Sequence, residues 1–159
     1  MKKFALIIAT GFGSGYLPWA PGSWGAAVML FFSWWLVDLP TVSFIGLIFI
    51  LFVLGVSVAQ IADNHFAKGS GTASDNDKIV IDEWVGMMIT LMPLFYFEKS
   101  LLHFAMAFLC FRIFDTLKFG LAKIMDRIHN RWGVMLDDVF AGLHAGVFFF
   151  IALWVMYRM

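Results

Sequence analysis

The stretch that decides the fold is residues 42–62, VSFIGLIFILFVLGVSVAQIA, which are 21 residues without a charged side chain. An α-helix rises about 1.5 Å per residue, so this run is long enough to cross the roughly 30 Å hydrocarbon core of a bilayer. A second run of comparable length covers residues 139–157. Both runs predict membrane-spanning helices.

Three shorter apolar runs complete the pattern: residues 24–37, 84–97 and 101–114. Short polar turns at 38–40 and 98–100 join neighbouring runs, which favours antiparallel helical hairpins. We expect Ser23 to cap the helix of residues 24–37 and Pro93 to kink the helix of residues 84–97. The prediction is an all-α integral membrane bundle of about five apolar helices, some of them short or partly penetrating. No composition shift marks a domain boundary, so residues 1–159 are predicted to form a single domain.

The composition agrees with a membrane protein. Hydrophobic residues make up 62% of the 159 residues and charged residues 14%, whereas soluble domains are nearer one half and one quarter. The 11 basic and 11 acidic residues cancel, which removes the global field that would attract nucleic acid. The single cysteine, Cys110, excludes a disulfide framework and a cysteine zinc site. Residues 4–9 are too short for the core of a signal peptide, so we expect no cleaved leader.

The charges are distributed unequally between the two ends of the predicted bundle. If each run crosses once, nine of the 11 basic residues lie on one side, and only Lys99 and Arg158 lie on the other. The positive-inside rule then places the charged side in the cytoplasm. Nine of the 11 acidic residues share that side. The polar chemistry is therefore predicted next to the inner leaflet.

A glycine segment, Thr-Gly-Phe-Gly-Ser-Gly at residues 10–15, precedes the apolar run at 24–37. Glycines let backbone N–H groups turn toward an anion, and the positive end of the next helix adds to this, so we consider it a candidate phosphate cradle. The segment lacks the ending of a P-loop. A flexible re-entry loop is the alternative. The candidate phosphate-binding residues here are Thr10, Gly11, Gly13, Ser14, Gly15 and Ser23.

Two pairs of acidic residues precede apolar runs on the same side of the membrane. Asp82 and Glu83 precede the run at 84–97, and Asp137 and Asp138 precede the run at 139–157. Carboxylates at the edge of a membrane are costly unless they bind a cation or pair with bases. Hard carboxylate oxygens are the protein ligands that Mg²⁺ prefers, with water and phosphate completing its shell. Alternatively, these acidic residues bind no cation and only complement the positive end of the helix dipole.

A third cluster places basic and acidic residues together on one side of the helix predicted from the run at 101–114. Arg112, Asp115 and Lys118 are three residues apart, so they lie along one side of a helix. Arginine grips phosphate through two donors and lysine as a point charge. Asp115 would orient Arg112 or bind metal. Alternatively, the basic side chains of this cluster have no role in phosphate binding and only extend from the helix end to the membrane surface. By contrast, Asp75 and Asp77 are expected in a solvated loop.

These four blocks resemble the phosphatidylglycerophosphatase A family of bacterial inner-membrane phosphatases. The resemblance covers nearly the whole chain. It is carried by the glycine segment with Ala-Pro-Gly-Ser at 20–23, Ile-Val-Ile-Asp-Glu at 79–83, Phe-Arg-Ile-Phe-Asp at 111–115 with Lys118, and Gly-Val-Met-Leu-Asp-Asp at 133–138.

The resemblance implies Mg²⁺-dependent removal of the terminal phosphate from phosphatidylglycerol phosphate, a phospholipid of the inner leaflet. The products are phosphatidylglycerol and inorganic phosphate. The candidate metal ligands are Asp82, Glu83, Asp137 and Asp138. The candidate catalytic residues are these four with Arg112, Asp115 and Lys118. The sequence does not determine the oligomeric state.

The simplest mechanism is direct attack by water, assisted by Mg²⁺. The spacing of Cys110 and Arg112 does not fit a cysteine phosphatase. Whether one of the carboxylates acts as base or nucleophile stays open. Another metal-dependent lipid phosphatase or a phosphatidyltransferase is the nearest alternative. A small transporter is a weaker one, because it should place charged residues within the spans.

Overall fold

The computed structural model describes residues 2–70, 77–128 and 130–159. Within these ranges the chain forms α-helices and two short 3₁₀ helices, Ser14–Tyr16 and Met92–Phe95, and no β-strand. The predicted all-α class is therefore confirmed. The α-helices are α1 (Lys2–Ala9), α2 (Pro21–Leu36), α3 (Thr41–Ser70), α4 (Ile81–Leu91), α5 (Leu101–Leu117), α6 (Gly120–Asp126) and α7 (Arg131–Met156).

Two of the described helices are long and apolar enough to cross a membrane, judged by length and composition. They are Thr41–Phe66 within α3 and Arg131–Met156, which is α7. Each contains 26 residues, or about 39 Å of helix. The other apolar runs form shorter helices of 16, 11 and 17 residues, namely α2, α4 and α5. A bundle of about five membrane helices stays a prediction.

Two local expectations about the helices are wrong. The N-cap of α2 is Ala20, with φ 54°, and Ser23 lies inside the first turn, where its N–H donates to the Ala20 carbonyl at 2.9 Å. The helix begins earlier than predicted because proline is favoured in a first turn, and Pro21 occupies it. Pro93 also does not kink a continuous helix. Instead, α4 ends at Leu91 and the chain continues as the 3₁₀ helix that contains Pro93.

The central helix is α4, which packs against α2, α3, α5 and α7. Nearly all of its residues are buried, as expected for a helix that is apolar on every side. Its most extensive packing is with α7, where Gly86 and Gly142 face each other. A Cβ atom on Gly142 would clash with the Gly86 carbonyl, so glycine lets the two backbones touch.

Ion pairs tie the helices together at opposite ends of the bundle. At one end, Lys99 before α5 pairs with Asp38 after α2, at 2.5 Å. At the other end, Arg131 at the start of α7 pairs with the buried Asp63 of α3. This second pair holds the beginning of α7 beside α3. The acidic residues of α7 follow within two turns.

Candidate active site

One polar cavity of about 260 Å³ lies where α2, α4 and α7 begin and α5 ends. The cavity combines several carboxylates with an arginine and a lysine. All seven predicted catalytic residues line it. The lining residues are Ala20, Pro21, Gly22, Asp77, Ile79, Asp82, Glu83, Arg112, Asp115, Lys118, Val134, Asp137 and Asp138.

Three of the carboxylates form a compact cluster. One oxygen each from Asp82, Glu83 and Asp138 lies within 4.8 Å of the others, a spacing that could hold a metal ion. Asp82 and Asp138 are buried, and the Glu83 Oε2 atom is buried without a hydrogen-bond partner. Among the described residues no lysine or arginine pairs with these three side chains. Crowded carboxylates without a basic partner fit a hard cation.

The electrostatics of the two acids in the first turn of α4 agree with this reading. Burial and the neighbouring Glu83 raise the pKa of Asp82 well above its ordinary value. Burial, with the charges of Asp138 and Asp115, raises the pKa of Glu83 to about 8, although a hydrogen bond from Asp82 opposes the rise. Without a cation, Glu83 is therefore largely protonated near neutral pH.

The fourth predicted metal ligand, Asp137, faces a different partner. Its Oδ2 accepts a hydrogen bond from Lys118 Nζ at 2.6 Å, and Lys118 also pairs with Asp126. Burial lowers the pKa of Lys118, but its two acidic partners outweigh burial and hold the pKa above its ordinary value. Lys118 is thus a fixed cation between two acids.

Lys118 also departs from the predicted helix. It is the C-cap of α5, with φ 43° in the left-handed region. Arg112 and Asp115 lie within α5, where Arg112 Nη1 is 2.6 Å from Asp115 Oδ2. All three side chains still reach the same cavity. This contact is the geometry expected if Asp115 orients the guanidinium, one of its two predicted roles.

The start of α2 forms the remaining wall. A Cβ atom on Gly22 would clash with Glu83 Oε1 and would lie 3.5 Å from Arg112 Nη1. Glycine at this position therefore lets the N-terminus of α2 approach both the acidic cluster and the arginine. The exposed Asp77 lies on the wall as well. Asp77 is exposed, as expected for a solvated loop, although no site role is predicted for it, and Asp75 lies outside the described residues.

The glycine segment packs behind this cavity lining, against the residues that precede α4. The Thr10 carbonyl accepts hydrogen bonds from the N–H groups of Gly13 and Gly15, both at 3.0 Å, and a Cβ atom on Gly15 would clash with the Lys78 carbonyl. The Ala9 carbonyl accepts from Val80 N at 2.9 Å. These contacts hold the segment that leads into α4. The following predicted phosphate-binding residues are absent from the lining of the described cavity: Thr10, Gly11, Gly13, Ser14, Gly15 and Ser23.

Sequence reasoning missed two acidic residues that support the site. Asp126 shares Lys118 with Asp137, and Asp63 holds Arg131 at the start of α7. Asp126 is eight residues from Lys118 across a helix break, so no helical spacing connects them. The sequence does contain one indication that Asp63 has a partner: it is an acid at the end of an otherwise apolar run, where an unpaired charge is costly.

Comparison with known proteins gives consistent matches along the chain. The family model described as phosphatidylglycerophosphatase A matches residues 7–153. Proteins named phosphatidylglycerophosphatase A are 35% identical in Escherichia coli, covering 91% of this chain and 81% of that protein, and 34% identical in Haemophilus influenzae, covering 98% and 96%. A Bacteroides thetaiotaomicron protein, named provisionally as a phosphatidylinositol-3-phosphatase, is 34% identical over 95% of this chain and 94% of its own. No solved structure gives a significant match.

Proposed function

Since this chain belongs to the phosphatidylglycerophosphatase A family, we propose that it hydrolyses the terminal phosphomonoester of phosphatidylglycerol phosphate. Water is consumed, and phosphatidylglycerol and inorganic phosphate are released. The main support for the proposal is that a three-carboxylate cluster faces Arg112 and Lys118 within the same cavity. Such a cavity supplies ligands for a cation and donors for a phosphate in one place.

Asp82, Glu83 and Asp138 would hold the metal, which we propose to be Mg²⁺. The all-oxygen donor set and the unpartnered Glu83 Oε2 support this assignment. When bound, Mg²⁺ neutralises negative charge on a phosphoryl group and makes water more acidic. Asp137 is assigned a different role, because its carboxylate is already engaged by Lys118.

Arg112 and Lys118 would bind the phosphoryl oxygens. The guanidinium is oriented by Asp115 and offers two parallel donors, which suits a tetrahedral anion. Asp137 and Asp126 hold the Lys118 ammonium in place and keep it charged. The positive end of α2 at Gly22 adds to the attraction for an anion. Preorganised hydrogen-bond donors of this kind stabilise the negative charge that develops during an in-line displacement.

We also propose that residues 1–159 form one phosphatase domain in the bacterial inner membrane. The domain would be multi-pass, with its cavity toward the cytoplasm. The outer face of α3 supports this, because the large side chains of Phe49 and Ile50 are 67% and 53% exposed, which is favourable in lipid and costly in water. The excess of basic residues near the cavity end supports the orientation.

The decisive experiment is phosphate release by the purified protein from phosphatidylglycerol phosphate in detergent micelles, with Mg²⁺ or with EDTA. We expect release with Mg²⁺ and none with EDTA. A parallel assay with phosphatidylinositol 3-phosphate uses the substrate named for the Bacteroides relative. Release from this second lipid alone would refute the proposed substrate.

A Glu98→Gln variant is the matched control for the metal ligands. Glu98 is exposed and precedes α5 at the opposite end of the bundle. This control should keep full activity, whereas Glu83→Gln and Asp138→Asn should lose most of it. Equal activity in all three variants would contradict the assigned metal site.

A further inference from the structure

A second, apolar groove of about 370 Å³ runs between α2 and α3 beside the start of α4. Every lining residue is apolar or aromatic. The residues that matter here are Met29, Phe32 and Leu36 of α2, Leu47 and Leu51 of α3, and Trp84 of α4. No role in hydrolysis has been assigned to this groove.

One face of α2 connects the groove with the polar cavity. Gly22, Met29 and Leu36 are seven residues apart, or about two helical turns, so they share a face. Gly22 lines the polar cavity, whereas Met29 and Leu36 line the groove. The distance along the helix from Gly22 is about 10 Å to Met29 and about 21 Å to Leu36. The apolar groove therefore begins a short distance beyond the site that would bind phosphate.

The first turn of α4 makes the same connection. Glu83 lines the polar cavity and the next residue, Trp84, lines the groove. Adjacent helical residues point about 100° apart, so this turn presents one side chain to each. A phospholipid has the matching construction, since its charged headgroup is followed by glycerol and then by hydrocarbon chains. A chain in one leaflet spans about 15 Å, half of the hydrocarbon core.

A third cavity, of about 290 Å³, is also apolar but lies elsewhere. It is lined by Thr41 at the start of α3 and by Met92 and Tyr96 beyond the end of α4. These residues belong to the end of the bundle opposite the acidic cluster. A lipid whose phosphate occupied the polar cavity would not reach it first.

We propose that the groove between α2 and α3 binds one acyl chain of the phospholipid whose headgroup enters the polar cavity. This rests on the proposed function and extends it from the phosphate to the lipid body. The chain would lie along α2, from Trp84 toward Leu36. The groove would thus make the enzyme respond to acyl-chain length.

The first test fills the groove with a larger side chain. Leu47→Trp places an indole in the groove, and Ile50→Trp is the matched control on the exposed side of α3. The measurement is kcat/KM for phosphatidylglycerol phosphate with two oleoyl chains and with two hexanoyl chains. In Leu47→Trp we expect the long-to-short ratio to fall about tenfold, the effect of losing the burial of about two methylene groups. Leu51→Trp is a second variant if Leu47→Trp fails to fold.

The control should keep the wild-type ratio. An unchanged ratio in folded Leu47→Trp and Leu51→Trp would overturn the proposal. A wild-type protein that releases no phosphate from either lipid would instead refute the proposed function, and the second test covers that case.

The second test does not depend on turnover. Phosphatidylglycerol phosphate with a diazirine in one acyl chain is photolysed with the EDTA-treated protein, and labelled residues are mapped by mass spectrometry. We expect label on the groove residues of α2 and α3, with loss of label in Leu47→Trp and not in Ile50→Trp. Label confined to other helices would overturn the proposal. Equal groove labelling by diacylglycerol with the same diazirine would also overturn it, since the groove would then hold any membrane lipid.

Discussion

Glu83 brings together the electrostatic features of the site at the scale of one residue. It lies in the first turn of α4, outside the two candidate membrane spans, and it contacts the position of Gly22 on α2. Its pKa rises from an ordinary 4.5 to about 8. A carboxyl group with a raised folded pKa binds more protons in the folded than in the unfolded protein, so the free energy of unfolding falls as pH rises between these values.

We therefore expect Glu83→Gln to flatten the pH dependence of stability in the metal-free protein. In EDTA, the thermal midpoint of the wild type should decline from about pH 4.5 to about pH 8, and the glutamine variant should decline less. Glu98→Gln should follow the wild type. The same decline in Glu83→Gln and in the wild type would contradict the assigned electrostatics.

Arg112 gives a second prediction at the residue scale. Arg112→Lys keeps the charge but loses the planar pair of donors. This loss should lower kcat, with a rise of roughly 2 to 4 kcal/mol in the activation free energy, as expected when one preorganised hydrogen-bond donor is removed. The Mg²⁺ concentration for half-maximal rate should change little, whereas Asp138→Asn should raise it. A normal kcat in Arg112→Lys would contradict phosphate binding by Arg112 and would indicate that this residue only anchors the helix at the membrane surface.

At the scale of elements, the separation of α4 and α7 determines whether the acidic cluster exists. Thr90 Oγ1 donates to the Gly86 carbonyl at 2.9 Å and to the Gly142 carbonyl at 3.3 Å, next to the glycine contact. Since Asp82 and Glu83 are on α4 and Asp138 is on α7, moving the helices apart would separate the three carboxylates. The packing of the two glycines should therefore affect the proposed metal site directly.

Gly142→Ala should therefore weaken Mg²⁺ binding as well as the fold. We expect a destabilisation of about 1 to 3 kcal/mol from overpacking and a higher Mg²⁺ requirement in the phosphate-release assay. Gly46→Ala on α3 is the matched control, because nothing lies within 4 Å of a Cβ atom there. Equal Mg²⁺ requirements in the two variants would argue against coupling between this contact and the site.

At the scale of the whole molecule, the proposed orientation places the cavity end in the cytoplasm. Single cysteines at Lys123 and at Glu98, introduced after replacement of Cys110 by alanine, report on the two ends, and both positions are exposed. In intact cells an impermeant maleimide should label Glu98→Cys and not Lys123→Cys. Labelling at Lys123→Cys without permeabilisation would reverse the orientation.

Several features followed from the sequence alone. The uncharged runs predicted helices because only a helix satisfies its backbone hydrogen bonds over such lengths in an apolar setting. The turn after α2 and the Ser100 cap of α5 agree with the predicted boundaries. The acidic pairs and the Arg112 cluster stood out because charge is costly beside apolar runs. Four ordered motif blocks then sufficed to suggest the family.

Only the tertiary structure decided which acid meets which partner. Asp137 and Asp138 are adjacent, so their side chains point about 100° apart on α7, and the rotation of α7 against α4 directs Asp138 to the acidic cluster and Asp137 to Lys118. The Gly86–Gly142 contact, which lets the two helices approach closely, connects residues far apart in the chain. Local spacing carries no information about such contacts, and for the same physical reason the apolar groove along α2 emerged only from the packed helices.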